Sequence, residues 1–186
     1  MDKKNKMLLI VDPQYDFIEG GALPVPGGEA ALTLLSLYVQ KHTEYVFTGV
    51  TMDWHPYNHM SFKDDGGEWP RHCVQNSTGA AIFSPLLDAL YKNGGELVFL
   101  RKGTDKDKEE YSVMKNPSAA FSLKSIIDHF EINEVDVCGL AGDICVLNTV
   151  KDLVETFPDI KINILEEYSP SIDGGETLND YINKNL

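Results

Sequence analysis

Short apolar runs alternate with amphipathic stretches along the whole chain. The runs are Met7–Val11, Tyr45–Met52, Leu97–Leu100, Val135–Leu140 and Ile160–Leu165. They are continuously apolar and rich in β-branched residues, which is typical of strands that are covered on both faces. The amphipathic segments 28–42, 84–93, 119–130, 144–156 and 175–184 predict helices between and after them. This alternation predicts a Rossmann-like, three-layer α/β/α fold around a mostly parallel sheet of five or six strands.

Composition narrows the class of protein. The 186 residues contain no internal repeat, low-complexity tract or linker, so we expect one domain spanning residues 1–186. A net charge of -13 without a long Lys/Arg run argues against nucleic-acid binding. No apolar stretch reaches the roughly 18 residues of a membrane span, and the run at 7–11 is too short for a signal peptide. A small-molecule partner is expected, with neither nucleic acid nor membrane.

The number of cysteines indicates the cellular compartment in which the protein is expected. Cys73, Cys138 and Cys145 form an odd set that does not resemble a disulfide framework, so a reducing cytoplasm is expected. Cys138 lies inside an apolar run and should be a small core residue. We also expect a homo-oligomer.

Three polar residues follow the apolar runs and are the candidates for chemistry, because parallel sheets place their sites at the carboxyl ends of the strands. Asp12 ends the first run, Lys102 follows the third, and Cys145 opens the helix after the fourth. Taken singly, they could be a turn cap, a surface lysine and a structural thiol. Together they predict an acid–base pair and a nucleophile, with the helix start favouring the thiolate.

A second cluster predicts a metal site. The Asp-x-His pair Asp53 and His55 follows the second run, and His72 comes 17 residues later in a polar loop at 53–83. Carboxylate and imidazole suit a divalent ion, and three protein ligands would leave positions open for water and substrate. Solvated loop histidines are the alternative. His59 could be a further ligand or a supporting residue.

The chain resembles the isochorismatase-like hydrolase family, and within it the nicotinamidase/pyrazinamidase branch. The matching segments are Leu9–Phe17, Asp53–Phe62, Trp69–Val74, Lys102–Gly103 and Gly139–Val146, which follow the family's order over nearly the whole chain. The resemblance implies a catalytic triad of Asp12, Lys102 and Cys145 and the metal ligands Asp53, His55 and His72. It also implies a substrate pocket with Phe17, Trp69 and Tyr111 as aromatic walls.

The implied reaction is hydrolysis of nicotinamide through a thioester. The resemblance further implies an oxyanion hole made by the backbone N–H groups of Ala141 and Cys145, with a cis peptide bond at Leu140–Ala141. One divalent ion is implied, with zinc expected and iron or manganese as alternatives.

Two departures from the family pattern border the pocket. Gly142 stands where relatives commonly have threonine, and the segment 103–118 is long and charged, with Val-Met-Lys after Ser112. A cysteine hydrolase of another small amide or a carbamoyl compound therefore stays open, as does a non-enzymatic metal-binding or redox-responsive protein. Isochorismate cleavage is disfavoured, because those relatives lack this cysteine and metal set.

Overall fold

The computed structural model describes residues 5–186 and has strands and helices in strict alternation. The strands are β1 (Lys6–Val11), β2 (Phe47–Asp53), β3 (Glu96–Lys102), β4 (Glu134–Gly139) and β5 (Lys161–Ile164). The helices are α1 (Gly28–Lys41), α2 (Ser84–Asn93), α3 (Pro117–His129), α4 (Leu147–Thr156) and α5 (Glu176–Asn185). Each predicted segment is confirmed, with bounds shifted by a few residues.

The strands form one fully parallel sheet in the order β3-β2-β1-β4-β5. The predicted parallel sheet of five or six strands is confirmed, and it has five strands within residues 5–186. The chain moves outward from β1 to β3 on one side and then crosses back to β4 on the other. Ligand sites of open α/β sheets lie where the strand order reverses in this way, outside the carboxyl ends of the strands. Here that position is the edge where β1 and β4 end.

Both faces of the sheet are buried, which explains the continuously apolar runs. In β1, Leu8 and Ile10 pack against the layer containing α1 and α2. Their neighbours Met7, Leu9 and Val11 pack against the layer containing α3 and α4. Successive side chains of a strand point to opposite faces, so both sets are apolar only when helices cover both faces.

A buried polar cluster lies between β1, β4 and β5, away from the carboxyl edge. The Asp136 carboxylate accepts hydrogen bonds from the Tyr45 hydroxyl at 2.6 Å and the Asn163 amide at 2.8 Å. The ammonium of Lys6 lies 2.7 Å from the same carboxylate. Because its buried charge has these partners, Asp136 is accounted for by the fold.

The three cysteines form no disulfide bond with one another. Cys73, Cys138 and Cys145 are free thiols, and Cys138 is fully buried in β4, as predicted. Within residues 5–186, none of the helices is long and apolar enough to cross a membrane.

Candidate active site

Asp12 lies directly after β1 and is fully buried. Its backbone has a φ of 47°, in the left-handed region, so the chain turns sharply where the strand ends. The Thr51 hydroxyl donates a 2.6 Å hydrogen bond to one carboxylate oxygen of Asp12. The amide N–H of Asp12 lies 3.2 Å from the Thr51 carbonyl oxygen. Strand β2 thus fixes this carboxylate at the edge of the sheet.

Lys102, the last residue of β3, is fully buried between the other polar groups. Its Nζ lies 2.8 Å from Asp12 Oδ2 and 2.5 Å from Asp53 Oδ1. The Sγ of Cys145 lies 3.5 Å from the same nitrogen. The structure therefore brings together Asp12, Lys102 and Cys145, the three residues expected at this edge from the sequence.

Burial and pairing set the protonation of this cluster. Burial raises the pKa of the Asp12 carboxyl, and Asp53 adds to the rise, although the Lys102 ammonium opposes it. Burial alone would lower the pKa of Lys102, but the two carboxylates raise it well above its usual value. Lys102 is therefore the fixed cation of the site, and Asp12 is the carboxylate better suited to accept a proton.

Cys145 lies in a wide turn rather than in the first turn of a regular α-helix. Residues Gly142–Val146 form a π-helical turn that precedes α4, and the N–H of Val146 bonds to the Ala141 carbonyl at 3.1 Å. The expected cis peptide bond at Leu140–Ala141 is present.

Burial opposes the thiolate form that the sequence led us to expect at Cys145. Burial raises the pKa of the Cys145 thiol well above its usual value, and the Lys102 ammonium only partly opposes that rise. The cost of burying the thiolate is larger than the stabilisation that the Lys102 ammonium provides at 3.5 Å. Burial thus favours the neutral thiol, which needs a neighbouring base to accept its proton.

Beside this cluster, Asp53, His55 and His72 form a group whose ligand atoms lie within 4.8 Å of one another. Asp53 Oδ2 is 3.4 Å from the Nε2 of His55 and 3.8 Å from the Nε2 of His72. Two donors, each about 2.1 Å from one ion, lie at most about 4 Å apart, so both distances suit a shared metal ion.

The orientation of the two imidazoles also fits a metal. The Nδ1–H of His55 donates to the Gly103 carbonyl at 3.0 Å, and that of His72 donates to the Pro70 carbonyl at 2.7 Å. These bonds leave the Nε2 atoms directed at Asp53, and such Nδ1–H bonds to carbonyl groups are usual for metal-binding histidines. Burial lowers the pKa of His72, which keeps it neutral. The residues present fit a divalent ion with nitrogen and oxygen ligands.

His59 is bonded in a way that makes it a supporting residue. Its Nδ1 is 2.7 Å from the Ser61 hydroxyl, and its Nε2–H donates to the Lys108 carbonyl at 2.8 Å. Its ring packs against His55 with 4.2 Å between the ring centroids. Both ring nitrogens are engaged, so His59 does not act as a ligand in this arrangement.

A cavity opens beside Cys145 and the metal-type cluster. It encloses about 410 Å³ including its open mouth, and its wall contains the three expected aromatic residues Phe17, Trp69 and Tyr111. The indole N–H of Trp69 donates to the Tyr111 hydroxyl at 3.1 Å, and the ring of Phe17 lies 5.5 Å from that of His72. The mainly apolar wall with its three aromatic residues suits a small aromatic ligand.

Several residues of the site were not singled out from the sequence. Gln14 is fully buried and bonds the N–H and carbonyl of Asp53, each at 2.8 Å. Glu110 accepts a 2.7 Å hydrogen bond from the N–H of Gly103, whose carbonyl holds His55. Gln14 lies inside a segment that carried the family resemblance, which was the available signal. Glu110 lies in a loop that contains several other charged residues, so the sequence pattern could not distinguish its carboxylate from theirs.

The departure at Gly142 has a steric reason. A Cβ atom at Gly142 would lie 2.4 Å from both the Ser169 carbonyl oxygen and the Ser171 hydroxyl. The same segment is tied to the turn by the N–H of Ile172, which donates to Asp143 at 3.0 Å. This chain therefore packs residues 169–172 against the turn that carries the thiol, and only glycine leaves room for them.

The comparisons agree with this architecture. The sequence profile of the isochorismatase domain matches residues 6–156, more than half of the chain. The chain therefore belongs to the isochorismatase domain family. It is similar to the nicotinamidase of Escherichia coli, with 34% identity over 182 residues, 87% of this chain and 81% of that protein.

Two solved structures carry the same fold. The pyrazinamidase of Pyrococcus horikoshii in complex with zinc is 32% identical, with a TM-score of 0.80 over 96% of this chain and 95% of that one. The yeast nicotinamidase bound to the inhibitor nicotinaldehyde is 26% identical, with a TM-score of 0.83 over 96% and 94%.

Replacing Gly142 by alanine should destabilise the protein by about 1–3 kcal/mol, because the new methyl group overlaps the Ser169–Ser171 segment. Gly95→Ala is the matched control, since its nearest neighbouring atom would lie 3.4 Å away. Denaturant unfolding of both variants measures the difference. Equal stability of the two would contradict the steric explanation.

Proposed function

We propose that the protein is a metal-assisted cysteine amidohydrolase that converts nicotinamide to nicotinate and ammonia. The observation that carries this proposal is the buried cluster of Asp12, Lys102 and Cys145 at an aromatic-walled cavity beside a three-ligand metal-type group. The nicotinamidase and pyrazinamidase names of its relatives support the same substrate class.

In the proposed reaction, Asp12 accepts the Cys145 proton and the sulfur attacks the amide carbonyl. The C–N bond then breaks, a thioester forms, and Asp12 returns the proton to the departing ammonia. Hydrolysis by water releases the acid and restores the thiol. Lys102 keeps Asp12 oriented and stabilises the developing thiolate. The N–H groups of Ala141 and Cys145 are the proposed oxyanion hole, at about 3–4 kcal/mol per donor.

Asp53, His55 and His72 are the proposed ligands of one divalent ion. When bound there, such an ion would supply Lewis acidity for a ring nitrogen of the substrate and for a water molecule. Zinc is our proposal, supported by the zinc complex of the Pyrococcus horikoshii relative, with iron and manganese as alternatives. Phe17, Trp69 and Tyr111 are the proposed walls for the ring.

Hydrolysis of another small amide or carbamoyl compound is the second candidate. It is favoured by the charged loop between β3 and α3, which contributes Glu109 and Tyr111 to the cavity wall. A non-enzymatic metal-binding or redox-responsive role has less support, because the whole polar cluster is present. A cytoplasmic location and a homo-oligomeric state stay predictions.

Cys145→Ala should lower kcat/KM for nicotinamide by about 10³-fold or more, because the nucleophile is lost. Zinc content and the unfolding transition should stay those of the parent. Cys138→Ala is the matched control, since this thiol is buried in β4 and should affect stability alone. Residual activity of Cys145→Ala within tenfold of the parent would refute the assignment of the nucleophile.

His72→Ala should weaken metal binding by at least about tenfold, because one of three protein ligands is removed. Elemental analysis and titration of the chelated protein with zinc measure this loss. His129→Ala, an exposed histidine at the end of α3, serves as the control. The metal proposal fails if the parent protein contains no metal and keeps its full activity after dialysis against a chelator.

Nicotinamide should be hydrolysed with a kcat/KM about 10²-fold or more above that of benzamide. Benzamide has the same shape and reactive carbonyl but lacks the ring nitrogen that would meet the metal, and a site built around a polar partner rejects such analogues. Parallel assays of ammonia release decide the point. Equal rates would mean that the ring does not contact the metal, and a preference for aliphatic amides would favour the second candidate.

A further inference from the structure

The side chain of Glu110 closes the beginning of the loop that joins β3 to α3. Glu110 is 2% exposed, and its Oε2 accepts a 2.7 Å hydrogen bond from the N–H of Gly103, the first residue after β3. The same oxygen accepts a 2.9 Å bond from the side-chain amide of Asn116. Asn116 also donates to the Thr104 hydroxyl at 3.0 Å and accepts a bond from the N–H of Ala119 in α3. Glu110 therefore connects the end of β3 to the residue that caps α3.

The segment closed in this way, the 103–110 loop, holds two histidine rings of the site through its backbone carbonyl groups. The Gly103 carbonyl accepts the Nδ1–H of His55 at 3.0 Å. The Lys108 carbonyl accepts the Nε2–H of His59 at 2.8 Å, and the ring of His59 packs against that of His55. The orientation of both rings thus depends on where the backbone of this loop lies.

The backbone of Gly103 leaves no room for movement of the His55 ring. A Cβ atom at Gly103 would lie 2.4 Å from the Cε1 of His55, and the φ of Gly103 is 64°. Because the same peptide unit accepts the Nδ1–H of the ring, a shift of this peptide would turn the imidazole. The Nε2 on the other side of the ring faces Asp53 at 3.4 Å, so such a turn would displace a proposed ligand atom.

We propose that Glu110 is a positioning residue of the metal site, which closes the 103–110 loop and so holds the Gly103 carbonyl that orients His55. The inference rests on the proposed function, since it concerns the ion that Asp53, His55 and His72 are proposed to bind. Partners of this kind strengthen metal binding, because they fix the ring orientation of the ligand. The proposal also gives part of the charged loop between β3 and α3 a role in the site.

Attraction between the negative charge of Glu110 and the ion is the competing explanation. Attraction requires the charge of the side chain, whereas positioning requires an oxygen atom that reaches the N–H of Gly103. Two substitutions separate these requirements. Glu110→Gln removes the charge and keeps an acceptor oxygen at the same reach. Glu110→Asp keeps the charge and withdraws the carboxylate by one methylene group.

The test is a titration of the metal-free proteins with zinc, with denaturant unfolding of the same samples to establish that each variant is folded. Glu110→Asp should weaken zinc binding by about tenfold, which is the lower end of the range for the loss of such partners. Glu110→Gln should bind zinc as the parent does. Glu96→Asp is the matched control, because it makes the same change at an exposed residue at the beginning of β3.

Unchanged zinc affinity in folded Glu110→Asp would overturn the proposal, as would an equal loss in Glu96→Asp. A loss in Glu110→Gln as large as that in Glu110→Asp would also overturn it and assign the effect to charge. If the parent protein binds no zinc, the metal part of the proposed function and this inference fail together. If the parent and Glu110→Asp bind zinc equally well, only the role of Glu110 fails.

Discussion

The rest of the site depends on the ion pairs that the buried ammonium of Lys102 forms with two carboxylates. This ammonium lies 2.8 Å from Asp12 and 2.5 Å from Asp53, and all three side chains are removed from water. Two carboxylates at this spacing would repel each other and could not both stay ionised without a cation between them. One lysine therefore stabilises the carboxylates of both Asp12 and Asp53, which couples the two halves of the site.

The order of the strands explains how these groups meet. Asp12 follows β1, Asp53 ends β2 and Lys102 ends β3, and these strands are neighbours in one parallel sheet. The register pairs Asp53 with Lys102 directly. Cys145 arrives from the other side of the strand reversal, after β4. Three of these four polar groups lie at strand ends and the fourth lies in the turn after β4, whereas the aromatic walls and His72 lie in loops.

Strand ends also explain how far the sequence could predict this site. A continuous apolar run has a clear end, so Asp12, Lys102 and Asp53 could be assigned to one edge before any coordinates were known. Thr51 could not, because a threonine inside a strand has the same pattern whether it faces a carboxylate or the core. Gln14 and Glu110 act through backbone groups of other segments, and those tertiary contacts leave no local pattern. The helix-start argument for Cys145 was incomplete for the same reason, since burial is not a property of the local sequence.

The burial of Cys145 changes how its reactivity should be understood. A cysteine that is reactive without the help of a neighbouring base has a lowered pKa and a thiol that is partly exposed to solvent. The Cys145 residue is only 6% exposed, and the pKa of its thiol is raised. The nucleophilic role proposed for Cys145 therefore depends on transfer of its proton to a nearby base. Asp12 suits that part, because its own pKa is raised by burial and both residues lie against Lys102. Transfer of the proton converts a neutral thiol and an ionised carboxylate into a thiolate and a neutral carboxyl beside the same ammonium. The net charge of the buried cluster stays constant through that step, so the transfer requires no new charge to be buried.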